Sequence, residues 1–412
     1  MPQKIILMRR YILSFICLLS LSVFAFSQEQ PTIEEHECGE QAEHEFDPGA
    51  TAFHHISDQN IYSIGPWNFP LPCFLYAPDH GWSVFSSGKF YADAHGNGHM
   101  AVDGYVLVEG MVNRINDPAF PNGEVEVGHH PYFQKIKKDD GVEKDVAHVC
   151  YQSKLYATSE RSTADGGLFG GGITNFYDFS LTKNVTSMFI ILALLSWMFL
   201  SVAKAYKTRD GMAPKGMQGF IEPIFLFIQD EVAKPFLGHK WEQYLPFLMS
   251  LFFFILGLNL FGQIPFLGGS NVTGNLAVTM VLAIVTFLVV NLSGNKNYWE
   301  HIVWMPGVPA WVKIILTPVE ILGVFIKPMT LMLRLFANIT AGHMVVVIFV
   351  SLIFVFGNNG MNVGAGYGTA VGSTVLTLFM MTIELLVAFI QAFVFTILTA
   401  SYIGAATEEA HH

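Results

Sequence analysis

Arg334 lies in the apolar run Met329-Thr330-Leu331-Met332-Leu333-Arg334-Leu335-Phe336-Ala337-Asn338. Centring an arginine in a bilayer costs roughly 2.5–3.5 kcal/mol on insertion scales, so such a residue marks an ion path or a partner charge. Its guanidinium sheds no proton at any accessible pH. It can attract or repel a charge without relaying a proton, which is the behaviour of an electrostatic gate. Asn338 comes four residues later and shares its helical face. His343 comes nine later, which at about 100° per residue puts it on the opposite side. Glu384 and Gln391 are seven apart and share a face of the last apolar helix. Glu384 and His343 can exchange protons. Relay groups separated by a fixed cation make a proton path with an electrostatic break in it. The bland reading of Arg334 is an ion pair with Glu320 or Glu384 that only holds helices together, whereas packing in membranes relies on small and weakly polar residues.

The elements carrying these residues are long. Met329 to Phe356 would run about 42 Å as a helix and Val375 to Ile403 about 43 Å, against roughly 30 Å of hydrocarbon. Strong tilt solves the mismatch. A tilted hairpin offers one long side face to a large, curved partner. Upstream, Val185 to Val202 reads as a span, and Lys204, Lys207 and Arg209 place the next segment on the inner side. Residues 213–241 read as an amphipathic helix on the inner surface. Leu245 to Ile264 returns outward and Ala277 to Leu292 comes back, with Pro265 and Gly268-Gly269 breaking the chain between them.

Composition agrees with a membrane protein. Only 13% of the 412 residues are charged and 52% are hydrophobic, where about 25% charged is usual for soluble domains. A formal charge of −11 argues against nucleic acid as a partner. Residues 1–27 read as a signal peptide: Lys4, Arg9 and Arg10 precede the apolar Tyr11 to Phe24, and Ala25-Phe26-Ser27 suits cleavage before Gln28. An uncleaved anchor is the alternative, and either way the next segment is exported. Residues 28–47 form an acidic leader expected to be disordered. Residues 48–180 read as a periplasmic, mainly-β region and linker. Strand-like runs are Trp82 to Tyr91, Tyr105 to Ile115 and Tyr132 to Ile136, with turns at Asp79-His80-Gly81, Asn97-Gly98 and Asn122-Gly123. Its many histidines include His95 and His99, but Gly96 and Gly98 between them disfavour a shared helical face, so no metal site is expected. The Gly166–Gly172 stretch lacks the Lys-Ser/Thr of a phosphate loop and reads as a linker. With Cys17 removed, Cys38, Cys73 and Cys150 allow one disulfide within the chain, and the pairing is open. No cofactor is expected.

Pro328 to Asn338 with Ala341-Gly342-His343, and Glu384 to Gln391-Ala392-Phe393 with Ser401 to Glu409, resemble subunit a of the F-type ATP synthase. The resemblance covers residues 181–409. It implies an all-α polytopic membrane domain ending in a long tilted helical hairpin, here preceded by a small, mainly-β exported region. It further implies that Arg334 faces the carboxylates of a rotating c-ring between two aqueous half-channels, with Glu384 and His343 as proton relay. Asn338, Gln391, Asn259, Glu320, Lys327 and Thr330 are the channel-supporting positions implied. The implied partners are the c-ring, a b-type stalk subunit and membrane lipid, the ion is H⁺, and the chain alone binds no nucleotide. The implied setting is a bacterial inner membrane, with the C-terminus cytoplasmic. The chain departs from the family at one place: some members carry acids just after the position of Asn259, where this chain has Gly262, Gln263 and Leu267. A secondary ion transporter or channel with its own midplane site is the alternative; an inverted repeat would favour it, and residues 180–409 show none. An anchored binding module would not need so many spans. The exported region is expected to cover the outer mouth or touch a neighbouring subunit without performing chemistry.

Overall fold

The computed structural model describes residues 57–408, apart from 65–66, 94–95, 116, 129–131, 138–142, 162–175, 210, 265–269, 306–308 and 359–360. The expected signal peptide, the acidic leader, the glycine-rich linker stretch and Leu267 lie outside the described residues.

The N-terminal region is built of antiparallel sheets, as its alternating pattern requires. A seven-stranded sheet has the order β8 (Glu124–Glu126), β5 (Met100–Val102), β6 (Tyr105–Val108), β7 (Met111–Ile115), β11 (Lys154–Ser159), β10 (Glu143–Tyr151), β9 (Tyr132–Lys137). A three-stranded sheet has the order β12 (Tyr177–Asp178), β3 (Pro72–Ala77), β4 (Gly81–Ser86), and β1 (Ile61–Ile64) pairs with β2 (Trp67–Pro70). On β3 the period of two sends Cys73, Leu75 and Ala77 inward and Phe74 outward. Those inward residues meet Phe90, Tyr105, Leu107 and Phe176 in one core, while Val106, Val108, Val149 and Tyr156 form a second. Buried Arg114 donates to both oxygens of Asp79, at 2.7 and 2.6 Å, and these hydrogen bonds hold that carboxyl below its usual pKa.

Two expected strands are corrected in extent. Tyr105 to Ile115 is a hairpin, because Glu109 and Gly110 both take positive φ (48° and 80°). Trp82 to Tyr91 ends as a strand at Ser86, whose hydroxyl caps a 3₁₀ turn over Ser87–Phe90. Cys73 is a buried free thiol whose pKa burial pushes up to about 12, whereas Cys150 is disulfide-bonded, its partner lying outside the described residues.

The second part is helical. Helix α1 (Lys183–Thr208) starts where the Thr182 hydroxyl accepts from the Val185 N–H. Helix α2 (Met217–Ile228) continues through a π turn at Gln229–Ala233, α3 (Lys234–Leu237) and a 3₁₀ turn at Gly238–Lys240 into α4 (Trp241–Gly262). Over residues 217–240 one stripe, Ile221, Ile228, Val232 and Leu237, is buried while Phe220, Leu226 and Phe227 are exposed. Helix α5 (Leu276–Leu292) bends by 105° into α6 (Lys296–Val303). The chain closes with α7 (Ala310–Phe356) and α8 (Val363–Thr407). Among the described residues, four helical stretches are long and apolar enough to cross a membrane, or five with the bent pair.

The final hairpin is longer than its apolar runs predict. Helix α7 begins 19 residues before Met329 and passes through Pro318 and Pro328; α8 begins 12 before Val375. Lys313, Glu320 and Lys327 interrupt the apolar pattern without ending the helix, since long charged side chains can lay their stems along it. At 47 and 45 residues these helices run about 70 and 68 Å. Helix α4 forms the centre: Leu248, Leu251, Phe252 and Ile255 are fully buried and join Ile191 of α1 and Phe395 and Ile403 of α8 in one cluster. Helix α7 instead leaves Ile314, Leu322, Phe325, Met329 and Leu333 exposed. So much apolar surface marks a face meant for lipid or a partner.

Candidate functional site

Two cavities with polar side chains in their walls flank the middle of α7. The first, of about 340 Å³, is bounded by α4, the α4–α5 loop, α7 and α8. Asn259 is fixed at both ends: its Nδ2 donates to Ala388 O (3.2 Å) and its Oδ1 accepts from Thr273 Oγ1 (2.7 Å). Gln263 Nε2 donates to Glu384 O at 2.7 Å. These bonds seat α8 against α4 and aim Glu384 at α7. There Gly342 makes room, since a Cβ at that position would lie 2.7 Å from Glu384 Oε1. His343 and Asn338 line the same space. Glu384 Oε1 and Asn271 Nδ2 have no hydrogen-bond partner among the described residues. Buried polar atoms left so by protein are the ones water satisfies in a polar cavity.

The second cavity, of about 280 Å³, lies where α5 turns into α6 and the end of α8 meets α7. Thr286, Asn291, Tyr298, Lys327 and Tyr402 supply its polar atoms. The Lys327 ammonium stands 5.5 Å from the Tyr402 ring centroid, and the Tyr298 hydroxyl donates to Asn291 Oδ1 at 3.4 Å. Along α7 the second cavity reaches Leu331 and the first begins at Asn338. Arg334 sits between them and lines neither. It is half-buried, within electrostatic reach of Tyr402, and among the described residues makes no ion pair with Glu320 or Glu384.

The cavities belong to opposite ends of the helical domain. Ser270, on the first, donates to Asn184 Oδ1 at the start of α1 (3.1 Å). Near the second, Thr407 O at the end of α8 accepts from Lys240 Nζ (3.0 Å) and Asn295 Nδ2 (2.9 Å).

The ATP synthase A chain family model matches residues 185–404. ATP synthase subunit a of Chloroherpeton thalassium is 41% identical over 242 residues, 57% of this chain and 69% of the relative. ATP synthase subunit a 2 of Prosthecochloris aestuarii is 39% identical over 243 residues, covering 57% and 71%. ATP synthase subunit a of Myxococcus xanthus is 35% identical over 266 residues, covering 63% and 83%. The chain belongs to the ATP synthase subunit a family. It is therefore a multi-pass membrane subunit of the F-type ATP synthase, with a role in its proton channel, and not an enzyme by itself. The β region lies before the subunit a match, and residues 51–140 match a family described as Domain of unknown function (DUF8433).

Within this subunit a fold the predicted residues separate. Arg334 and Asn338 share a face by spacing, yet only Asn338 reaches the first cavity. His343, predicted opposite Arg334, stands in that cavity with Glu384. Gln391 is buried on α8 between the levels of the two cavities. Lys327 belongs to the second cavity; Glu320 is half-buried and within electrostatic reach of Tyr298. Thr330 is exposed and donates to Ile326 O (2.9 Å). Gln263, at a position where the resemblance suggested an acid, lines the first cavity as an amide. Sequence reasoning missed Tyr298, Tyr402 and Asn271. Tyr402 carried a signal: it comes eleven residues after Gln391, three turns, on the face of Glu384.

Proposed function

We propose that the first cavity is the outer proton half-channel of the ATP synthase, the second the inner one, and Arg334 the barrier between them. The observation carrying this reading is the order along α7: one cavity with polar side chains in its wall, then a fixed cation, then a second such cavity at the other end. Lys204, Lys207 and Arg209 mark the end of α1 as inner, so its start, bonded to the first cavity, is outer. A disulfide at Cys150 suits an oxidising compartment for the β region on that side. The N-terminal region is then periplasmic and the C-terminus cytoplasmic.

Protons enter by way of His343, Glu384 and water, and neutralise a carboxylate of the c-ring, which can then turn into lipid. A carboxyl arriving back at Arg334 meets a fixed positive charge that favours its ionised form, so its proton leaves through the cavity at Tyr402 and Lys327. The same charge bars a direct shunt, since Arg334 relays no proton. The membrane potential contributes about 2.3 kcal/mol per proton per 100 mV. The exposed apolar face of α7 suits the ring as partner, and a b-type stalk subunit holds the stator. Sidedness is the test. Gln263→Cys should react with a small charged thiol reagent added outside, and Asn291→Cys with reagent added inside. Both reacting from one side would overturn the reading.

A further inference from the structure

The β region is bonded into the rim of the first cavity. Asp58, Gln59 and Asn60, just before β1, face the start of α1. There the helix exposes N–H groups that no preceding turn can satisfy. Gln59 O accepts from Lys183 N (2.7 Å) and Asp58 Oδ1 accepts from Asn184 N (3.1 Å). Burial raises the pKa of the Asp58 carboxyl here, and the Arg161 charge and the Asn184 N–H work against that rise. Asn60 is tied back into the β region: its Oδ1 accepts from Val112 N (3.3 Å) and its Nδ2 donates to Asp178 Oδ2 (3.3 Å). Arg161 lies 3.6 Å from the same oxygen.

The chain of contacts continues inward. Asn184, held through its backbone by Asp58, accepts from Ser270 Oγ at 3.1 Å. Ser270, Asn271 and Thr273 are buried, non-helical and part of the cavity wall. A buried loop keeps one shape only when its polar groups are tied. Asn271 is tied to Gly274 N (3.0 Å), Thr273 to Asn259, and Ser270 to Asn184.

We propose that Asp58 is a positioning residue for proton entry: through Asn184 and Ser270 the β region clamps the outer lip of the half-channel. The clamp rests on reading the first cavity as the outer half-channel. It gives the extra region a task in conduction beyond covering the mouth.

The test is ATP-driven proton pumping per assembled complex. Asp58→Ala should slow pumping about fivefold, the ratio that one net hydrogen bond is worth. Asp58→Asn, which still offers an acceptor to the Asn184 N–H, should restore most of it. Ser270→Ala should slow pumping to a similar degree, and the double variant should be no slower than either single one. Wild-type pumping in Asp58→Ala, or effects that multiply in the double variant, would overturn the clamp. Should alanine at 58 block assembly, Asn184→Ala and Ser270→Ala carry the same test, with wild-type pumping in either as the contrary result. Labelling of Gln263→Cys from outside reports on the channel reading separately, so its success beside multiplying effects would remove the clamp alone.

Discussion

Glu384 is a carboxyl group with one oxygen unpartnered among the described residues, in a cavity it shares with His343 and Asn338 and opposite a glycine that leaves room beside it. A group built only to brace two helices would have both oxygens bonded, because a half-satisfied buried polar group is costly. Glu384→Gln keeps size and removes titration. It should cut passive proton flux through membranes stripped of the nucleotide-binding head about tenfold or more, as loss of one acid–base group does, with complex yield unchanged. His343→Ala should give a smaller, pH-shifted defect, because water can replace one relay group. Wild-type flux in both variants across about pH 5–8, the range where histidine titrates, would remove the relay. Arg334 was legible in the sequence because a fixed cation in an apolar run has a known cost. Tyr298 was not, because a tyrosine ring beside apolar residues looks the same whether its hydroxyl meets water or core.

The elements were legible in kind more than in extent. Each apolar run after residue 180 became a helix, but α7 extends across Lys313, Glu320 and Lys327, charges that a hydropathy reading takes as an end. The 105° bend between α5 and α6 is what gives the second cavity its floor, and nothing in the local pattern announced it. In the β region, Tyr105 to Ile115 hid a turn because Glu109, an unusual residue for positive φ, takes the place of asparagine or glycine. Glycine spacing on α8 had a meaning visible only in three dimensions. A Cβ at Gly404 would run into the backbone oxygen of Phe236 on α3, so this glycine lets the end of α8 seat against the inner helices. Gly404→Leu should push these elements apart and reduce the chain recovered in assembled complex several-fold, whereas Gly368→Leu, at a position with open space around it, should be tolerated. Quantifying subunit a in purified complex by immunoblot checks the contrast; equal recovery of both variants would contradict the packing argument.

At the scale of the whole molecule, one chain joins a β region to a helical domain whose two cavities sit at opposite ends. The class of the helical domain was readable from the run around Arg334; the attachment of the β region was not, because Asp58 and Asn184 are 126 residues apart and ordinary in their local context. The proposed coupling turns on one feature of the arrangement, that neither cavity includes Arg334. In the proposed mechanism a proton crosses only by leaving one cavity on a partner's carboxylate and returning to the other. ATP-driven proton pumping by inverted vesicles carrying Arg334→Ala tests this most directly. The account predicts no pumping together with a passive leak between the cavities, and no recovery with Arg334→Lys, whose more hydrated point charge lacks the planar fork. Near-normal coupled pumping in the alanine variant would contradict it.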